Sequence, residues 1–177
     1  MLKEIKAEIL EPSPMPVGIV ASLYNSRFVD GMLEGAMDVL KGVGMPEESI
    51  HLIRVPGAYE IPLITSKMGA SRHPRFGALL CLGVVIQGAT QHARLITEAV
   101  THEITRQQSH FGIPIIHEVL LVENETQAQE RCLDPKFNRG GEAAQTALKM
   151  AQLAQHINNQ YFCLLYTSDA ADEEDSV

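Results

Sequence analysis

The run FGALLCLGVVI (residues 76–86) contains no charged or hydrogen-bonding side chain. A strand with one wet face alternates apolar and polar residues. A strand covered on both faces does not, so this run predicts a buried strand between two helical layers. Outward from it, the same logic marks PVGIVASLY (16–24), IHLIRV (50–55) and IPIIHEVLLV (113–122) as further strands. Between them lie amphipathic stretches. FVDGMLEGAMDVLKGVG (28–44) places Phe28, Met32, Leu33, Ala36 and Leu40 on a helical spacing, with Asn25 and Ser26 as N-caps and Gly42 and Gly44 as stops. YEIPLITSKMGAS (59–71) predicts a helix that begins near Pro62, which only a first turn tolerates. HARLITEAVTHEITRQQSHFG (92–112), TQAQERCL (126–133) and GEAAQTALKMAQLAQHINNQYF (141–162) complete the helices. Strands alternating with helices imply parallel pairing and right-handed crossovers. The expected fold is therefore α/β: a three-layer α/β/α sandwich around a four-stranded parallel sheet.

The chain has 177 residues, enough for one domain, with 45% hydrophobic residues and a formal charge of −8. No basic stripe is present, which argues against nucleic acid as a partner. No stretch approaches a membrane span, and the charged N-terminus is no signal peptide. Cys81, Cys132 and Cys163 form no CxxC pair and fit reduced thiols of a cytoplasmic protein. Residues 1–15 form an N-terminal arm whose Leu2, Ile5, Ala7 and Ile9 alternate like an edge strand, the kind of arm that reaches a neighbour. Residues 16–162 form the domain. Residues 163–177 hold five of the acids (Asp169, Asp172, Glu173, Glu174, Asp175) and no base. Their composition is that of a disordered tail and resembles appended adapter sequence. Mass spectrometry of the native protein tests whether the tail belongs to it.

In open parallel sheets, ligands bind outside the C-terminal ends of the strands. Four loops lie there: 23–25, 56–60, 87–92 and 122–125. In GVVIQGATQH (83–92), Gly88 permits close backbone approach, and the amides of Ala89 and Thr90 open a helix that would attract an anion. The Thr90 hydroxyl adds a donor. His92, in the first turn, is placed to move protons near neutral pH. In VPGAYEIP (55–62), the backbone of Ala58, Tyr59 and Glu60 can meet a polar ring edge, and the Glu60 carboxylate can accept from hydroxyls or a urea-like N–H. Tyr24 offers a stacking face beside Asn25. Arg131 and Arg139 each carry the forked donors that grip phosphate. Taken singly, each residue also has a plain role: an exposed first-turn histidine, a carboxylate facing a helix dipole, a core-edge tyrosine, surface arginines.

These segments resemble the 6,7-dimethyl-8-ribityllumazine synthase family over about residues 16–156. VPGAYEIP, GVVIQGATQH and the pair QAQER with FNRGGEAAQTALKMAQL carry the resemblance, in that order along the chain. It implies a flavodoxin-like fold and condensation of 5-amino-6-(D-ribitylamino)uracil with 3,4-dihydroxy-2-butanone 4-phosphate, releasing phosphate and water in riboflavin biosynthesis. It implies no metal and no organic cofactor. It also implies a homopentamer, or a sixty-subunit shell of twelve pentamers, with sites shared between adjacent subunits, and raises riboflavin synthase as a partner. By the same resemblance Tyr24, Asn25, Ala58, Tyr59, Glu60, Val85, Ile86 and His117 bind the pyrimidine and ribityl chain. Gly88, Ala89, Thr90, Arg131 and Arg139 bind phosphate, Arg131 coming from the neighbour, and His92 transfers protons.

The chain departs from the family pattern at several places. Gln87 stands where arginine is usual, and Ala93-Arg94 replaces an aromatic followed by an acid. Arg94, if close, would favour neutral His92. His117 replaces a phenylalanine, and Leu133 to Phe137 replace a glycine-rich basic stretch. These changes keep two other readings open: a catalytically weakened shell-forming or flavin/lumazine-binding relative, and a riboflavin synthase-type or flavodoxin-like flavin binder. The latter would want a Ser/Thr-rich loop after the first strand, which LYNSRF is not.

Overall fold

The computed structural model describes residues 4–6 and 10–162. Four strands, β1 (Val17–Ser22), β2 (Ile50–Val55), β3 (Ala78–Ile86) and β4 (Ile115–Val122), form one parallel sheet in the order β2-β1-β3-β4. Five α-helices connect or flank them: α1 (Ser26–Gly42), α2 (Ile61–Gly69), α3 (His92–Phe111), α4 (Glu125–Cys132) and α5 (Arg139–Ile157). The expected three-layer sandwich is observed. Alternate residues of the central strands feed two separate cores. Ile19, Leu80 and Leu82 pack with Met32, Leu40 and Leu148 beneath α1, α4 and α5. Val20, Leu79 and Cys81 pack with Ile61, Val100 and Ile104 beneath α2 and α3. That division explains why the run at 76–86 shows no polar alternation. β2 lies at the sheet edge, where Leu52 and Ile53 stay exposed.

The chain passes from β1 outward to β2 through α1, then returns across β1 to β3 through α2. The direction reverses between β1 and β3, so the crevice outside their C-terminal ends is the topological switch point. β1 stops earlier than its neighbour: the β1–β3 ladder ends at Ala21–Leu82, while β3 continues beside β4 to Ile86–Val122. This stagger leaves the last turns of β3 uncovered on the β1 side.

Two devices lock the second face. The Asn138 side chain caps α5, its Oδ1 accepting from the amides of Gly140 (2.9 Å) and Gly141 (3.2 Å). Its Nδ2 donates to the carbonyls of Gly31 (2.8 Å) and Cys132 (2.9 Å), joining α1, α4 and α5 through one residue. At Gly140 the α5 backbone lies against α1, and a Cβ there would collide with the Met32 carbonyl.

Several boundaries differ from the sequence reading. Helix α1 begins at Ser26, earlier than the apolar spacing indicates. The closing helix starts at Arg139 and ends at Ile157, and Asn158–Phe162 form a π-helical turn. Residues 4–6 and 10–15 are not strand, so the alternation of the arm produces no sheet edge there. Leu2, Ala7, Ile9 and the acidic tail 163–177 lie outside the described residues. Helix α3 buries Val100 and Ile104 in its own core, half-buries Ile96, and leaves Ala99 exposed.

Candidate active site

A cavity of about 1020 Å³ opens at the switch point between β1 and β3. Tyr24 and Asn25 border it from the end of β1, Ala58, Tyr59 and Glu60 from the turn after β2, and Val85 and Ile86 from the end of β3. Gly88, Thr90 and His92 close it from the start of α3. Ten of the expected site residues thus share one crevice. Ala89 is flanked by two of them and does not itself line the cavity. The loop after β4 contributes to a smaller adjoining cavity of about 340 Å³, where Glu125 meets Tyr24 and Asn25.

Each wall is held by backbone. The amides of Leu23 and Tyr24 donate to the carbonyls of Val55 (2.7 Å) and Pro56 (3.1 Å), tying the first loop to the second. Tyr24 and Tyr59 are left 70% and 62% exposed, presenting both rings at the mouth. Glu60 ends a short helical turn, Ala58–Glu60, before α2, with Pro62 in that helix's first turn as expected. Gly57 leaves room for the Glu60 carboxylate, which an added Cβ would approach to 3.0 Å.

Asn25 occupies the N-cap position expected for it but does not cap with its side chain. Its backbone is left-handed (φ 56, ψ 39), and its carbonyl accepts from the amides of Phe28 and Val29. Its Nδ2 instead donates to the Val84 carbonyl at 2.9 Å, supplying a rung where β1 has ended. Its Oδ1 and the second Nδ2 hydrogen remain for a ligand.

The turn before α3 is shaped by Gln87, whose Nε2 donates to the carbonyls of Gly88 (2.8 Å) and Thr90 (2.9 Å). With these two acceptors tied back, the donors at the start of a 20-residue helix are left for an anion. The Thr90 hydroxyl lies 3.4 Å from the His92 amide. Arg94, expected to act on His92, is paired with Glu98 one turn along at 2.6 Å. His92, Leu95, Ile96 and Ala99 form one face of α3 along the cavity, so three wall residues were missed that the helical period from His92 would have named.

His117, Arg131 and Arg139 are not among the cavity residues. His117 projects from β4 toward α3, its Nε2 lying 3.0 Å from Thr101 Oγ1. The Thr101 hydroxyl also donates to the Thr97 carbonyl (2.7 Å). Burial lowers the pKa of His117 below its usual value, against a weaker opposing effect of its own backbone carbonyl. Arg131 and Arg139 lie in α4 and α5, across the sheet from α2 and α3. Arg139 donates from Nε to Glu118 Oε1 at 2.8 Å and from Nη1 to Glu142. Glu118 is 5% exposed; burial raises its pKa, and Arg139 and Arg131 oppose the rise. Sequence reading missed this carboxylate, whose signal was a lone acid at a core-facing position of IIHEVLLV. Burial and Glu118 together push the Cys132 thiol up to about 11, and burial alone pushes Cys81 up, so neither is a ready nucleophile.

The cavity offers apolar walls, two exposed phenol rings, one carboxylate, one imidazole and a set of helix-start donors. It suits a flat, hydrogen-bonding ring together with an anionic group. Among its lining residues there is no arginine or lysine. Among the described residues no group of three or more metal-ligating side chains occurs, and no helix is long and apolar enough to cross a membrane.

The family model for 6,7-dimethyl-8-ribityllumazine synthase matches residues 14–155. Three enzymes of that name are similar over most of their length. The one from Clostridium kluyveri is 36% identical over 148 residues, covering 84% of this chain and 95% of its own. That of Stenotrophomonas maltophilia is 33% identical over 156 residues, covering 88% and 99%. That of Syntrophus aciditrophicus is 38% identical over 143 residues, covering 81% and 92%. With the whole domain matched and the cavity formed by the segments that carry the likeness, the chain belongs to the 6,7-dimethyl-8-ribityllumazine synthase family of transferases.

Proposed function

We propose that the protein condenses 5-amino-6-(D-ribitylamino)uracil with 3,4-dihydroxy-2-butanone 4-phosphate to 6,7-dimethyl-8-ribityllumazine, with release of phosphate and two waters, in cytoplasmic riboflavin biosynthesis. The observation that carries this reading is the meeting of Tyr24, the 58–60 turn, the end of β3 and His92 in one cavity. In this reading the pyrimidine lies on Tyr24, its polar edge toward the Val85–Ile86 backbone. Ala58, Tyr59, Glu60 and Asn25 Oδ1 serve the ring and ribityl chain. The phosphate lies on the Gly88–Thr90 turn.

The chemistry is a sequence of proton movements. The aryl amine adds to the ketone, the carbinolamine loses water, phosphate is eliminated, and the second amine closes the ring with loss of another water. His92 serves these steps as acid and base, for about 10²–10⁴-fold. Holding the two reactants in one crevice supplies more.

A cation would hold the phosphate more firmly than amides alone, and no arginine or lysine lines the cavity. Arg131 lies across the sheet from α2 and α3, so in this reading it serves the cavity of an adjacent copy. His117 serves it in the same way, as a neutral ring over the pyrimidine. This favours a homopentamer with shared sites, whether free or assembled into an icosahedral shell able to hold riboflavin synthase.

Lumazine fluorescence on mixing both substrates tests the activity. Product no faster than the uncatalysed background would instead support a weakened shell-forming or lumazine-binding relative. His92→Ala should lower kcat with little change in binding, and Arg131→Ala should mainly raise KM for the phosphorylated substrate. Light scattering decides the assembly, and a monomer with full activity would defeat the shared site.

A further inference from the structure

The corner where β4, α4 and α5 meet holds a carboxylate that packing does not call for. Ile116, Glu118, Leu120 and Val122 alternate onto the same face of β4, and the three apolar members pack against the core beneath α1 and α5. Glu118, opposite Leu82 in the sheet, is buried among them. A buried ion persists when it is paired, and here the partner is Arg139, which Glu142 holds from its other side. Arg131, in the last turn of α4, acts on Glu118 through space and makes no ion pair or hydrogen bond of its own among the described residues. Arg139 thus sits between two carboxylates, and Arg131 brings a second positive charge near Glu118.

From this arrangement we infer that Glu118 is a built-in competitor for phosphate: it occupies Arg139 and offsets Arg131, so the corner binds a phosphate weakly and releases it readily. The inference rests on Arg131 being a phosphate ligand, as in the proposed function. The chemistry gives a reason for the device. The phosphorylated substrate and the leaving inorganic phosphate offer the same group to the same cations, and a corner with two free arginines would retain the product. Glu118 touches no substrate in this account; it is a positioning residue, and Arg139 serves as its brace.

The test uses the full chain in its native assembly, with inorganic phosphate as both inhibitor and calorimetric ligand. Glu118→Gln should lower the Ki of phosphate and the KM of the phosphorylated substrate together, each about tenfold, as expected for loss of one charge near the anion in a protein environment. The KM of the pyrimidine should stay in place, and Glu118→Asp should keep the phosphate constants of the parent. A folded Glu118→Gln whose phosphate constants are unmoved or raised overturns the inference, because then the carboxylate only supports Arg139. If Glu118→Gln fails to fold, Glu142→Gln removes the exposed half of the clamp and must shift the same constants downward. A parent protein that binds phosphate in the calorimeter but forms no lumazine would defeat the enzymatic reading while leaving this one measurable. Turnover with phosphate constants unmoved in the variants would defeat this one alone.

Discussion

Asn25 is the residue whose removal separates two physical effects at the cavity. Its amide donates to the Val84 carbonyl at 2.9 Å, and its backbone sits at φ 56, ψ 39. Asn25→Ala loses both supports. The broken hydrogen bond costs about 1 kcal/mol, and more where the carbonyl finds no water. Alanine in left-handed backbone, a region that asparagine visits more readily, costs about 1 kcal/mol more. The expected loss is about 2 kcal/mol. Asn25→Gly loses the hydrogen bond but tolerates the backbone, so its loss should be near half of that. Asn25→Asp keeps a residue at ease in the left-handed region but turns an oxygen toward the Val84 carbonyl, and should be at least as damaging as alanine. Urea denaturation at matched protein concentration measures the series, since any association would shift the midpoint with concentration. The same three variants should raise KM for the pyrimidine, since Tyr24 and the end of β3 are no longer tied. An alanine variant within about 0.5 kcal/mol of the parent would refute the reasoning. So would a glycine variant as unstable as the alanine one, because the strain would then be absent.

Gly140→Ala should destabilise by about 3 kcal/mol or more, as its Cβ meets the Met32 carbonyl and α1 must move. Gly42→Ala, with open space around it, should stabilise by about 0.5–1 kcal/mol; thermal melts followed by circular dichroism read both. His117 titrates lower in the native state than unfolded, so between those two values the unfolded chain binds more protons and stability rises with pH. Urea midpoints from pH 5 to 7 should show that slope, and His117→Asn should flatten it. Gln87→Leu frees the Gly88 and Thr90 carbonyls to face the anion, and should raise KM for the phosphorylated substrate about 3–10-fold with kcat little moved.

The two-sided burial of 76–86 made the parallel sheet and its layers legible, because each central strand serves two cores and shows it in composition. The cavity followed from the sheet rule applied to loops, and ten of its expected residues share one crevice. What the sequence hid was the use made of side chains. Asn25 reads as an N-cap, and only the stagger between β1 and β3 shows why its amide turns to Val84. Arg94 beside His92 reads as a neighbouring charge, but an acid four residues on draws it along the helix. Glu118 reads as a misplaced polar residue in a strand until Arg139, 21 residues later, is brought beneath it by the fold.

If Arg131 holds the phosphate, as proposed above, one copy of the chain does not complete the site. Tyr24, Glu60 and His92 open onto the crevice bordered by α3, whereas Arg131 and Arg139 belong to the layer of α1, α4 and α5. Within one chain the two sets of residues lie on opposite sides of the sheet. Either the anion is held by amides and a hydroxyl alone, or a second chain presents its β4 side to this crevice. Amides at a helix start favour a phosphate by about 1 kcal/mol or somewhat more, while a desolvated arginine–phosphate pair adds a charge-assisted fork. Salt dependence separates the two cases. With an arginine on the phosphate, KM for that substrate should climb with ionic strength and Arg131→Ala should abolish most of the climb; a flat response in the parent protein would leave the amides as the whole anion site.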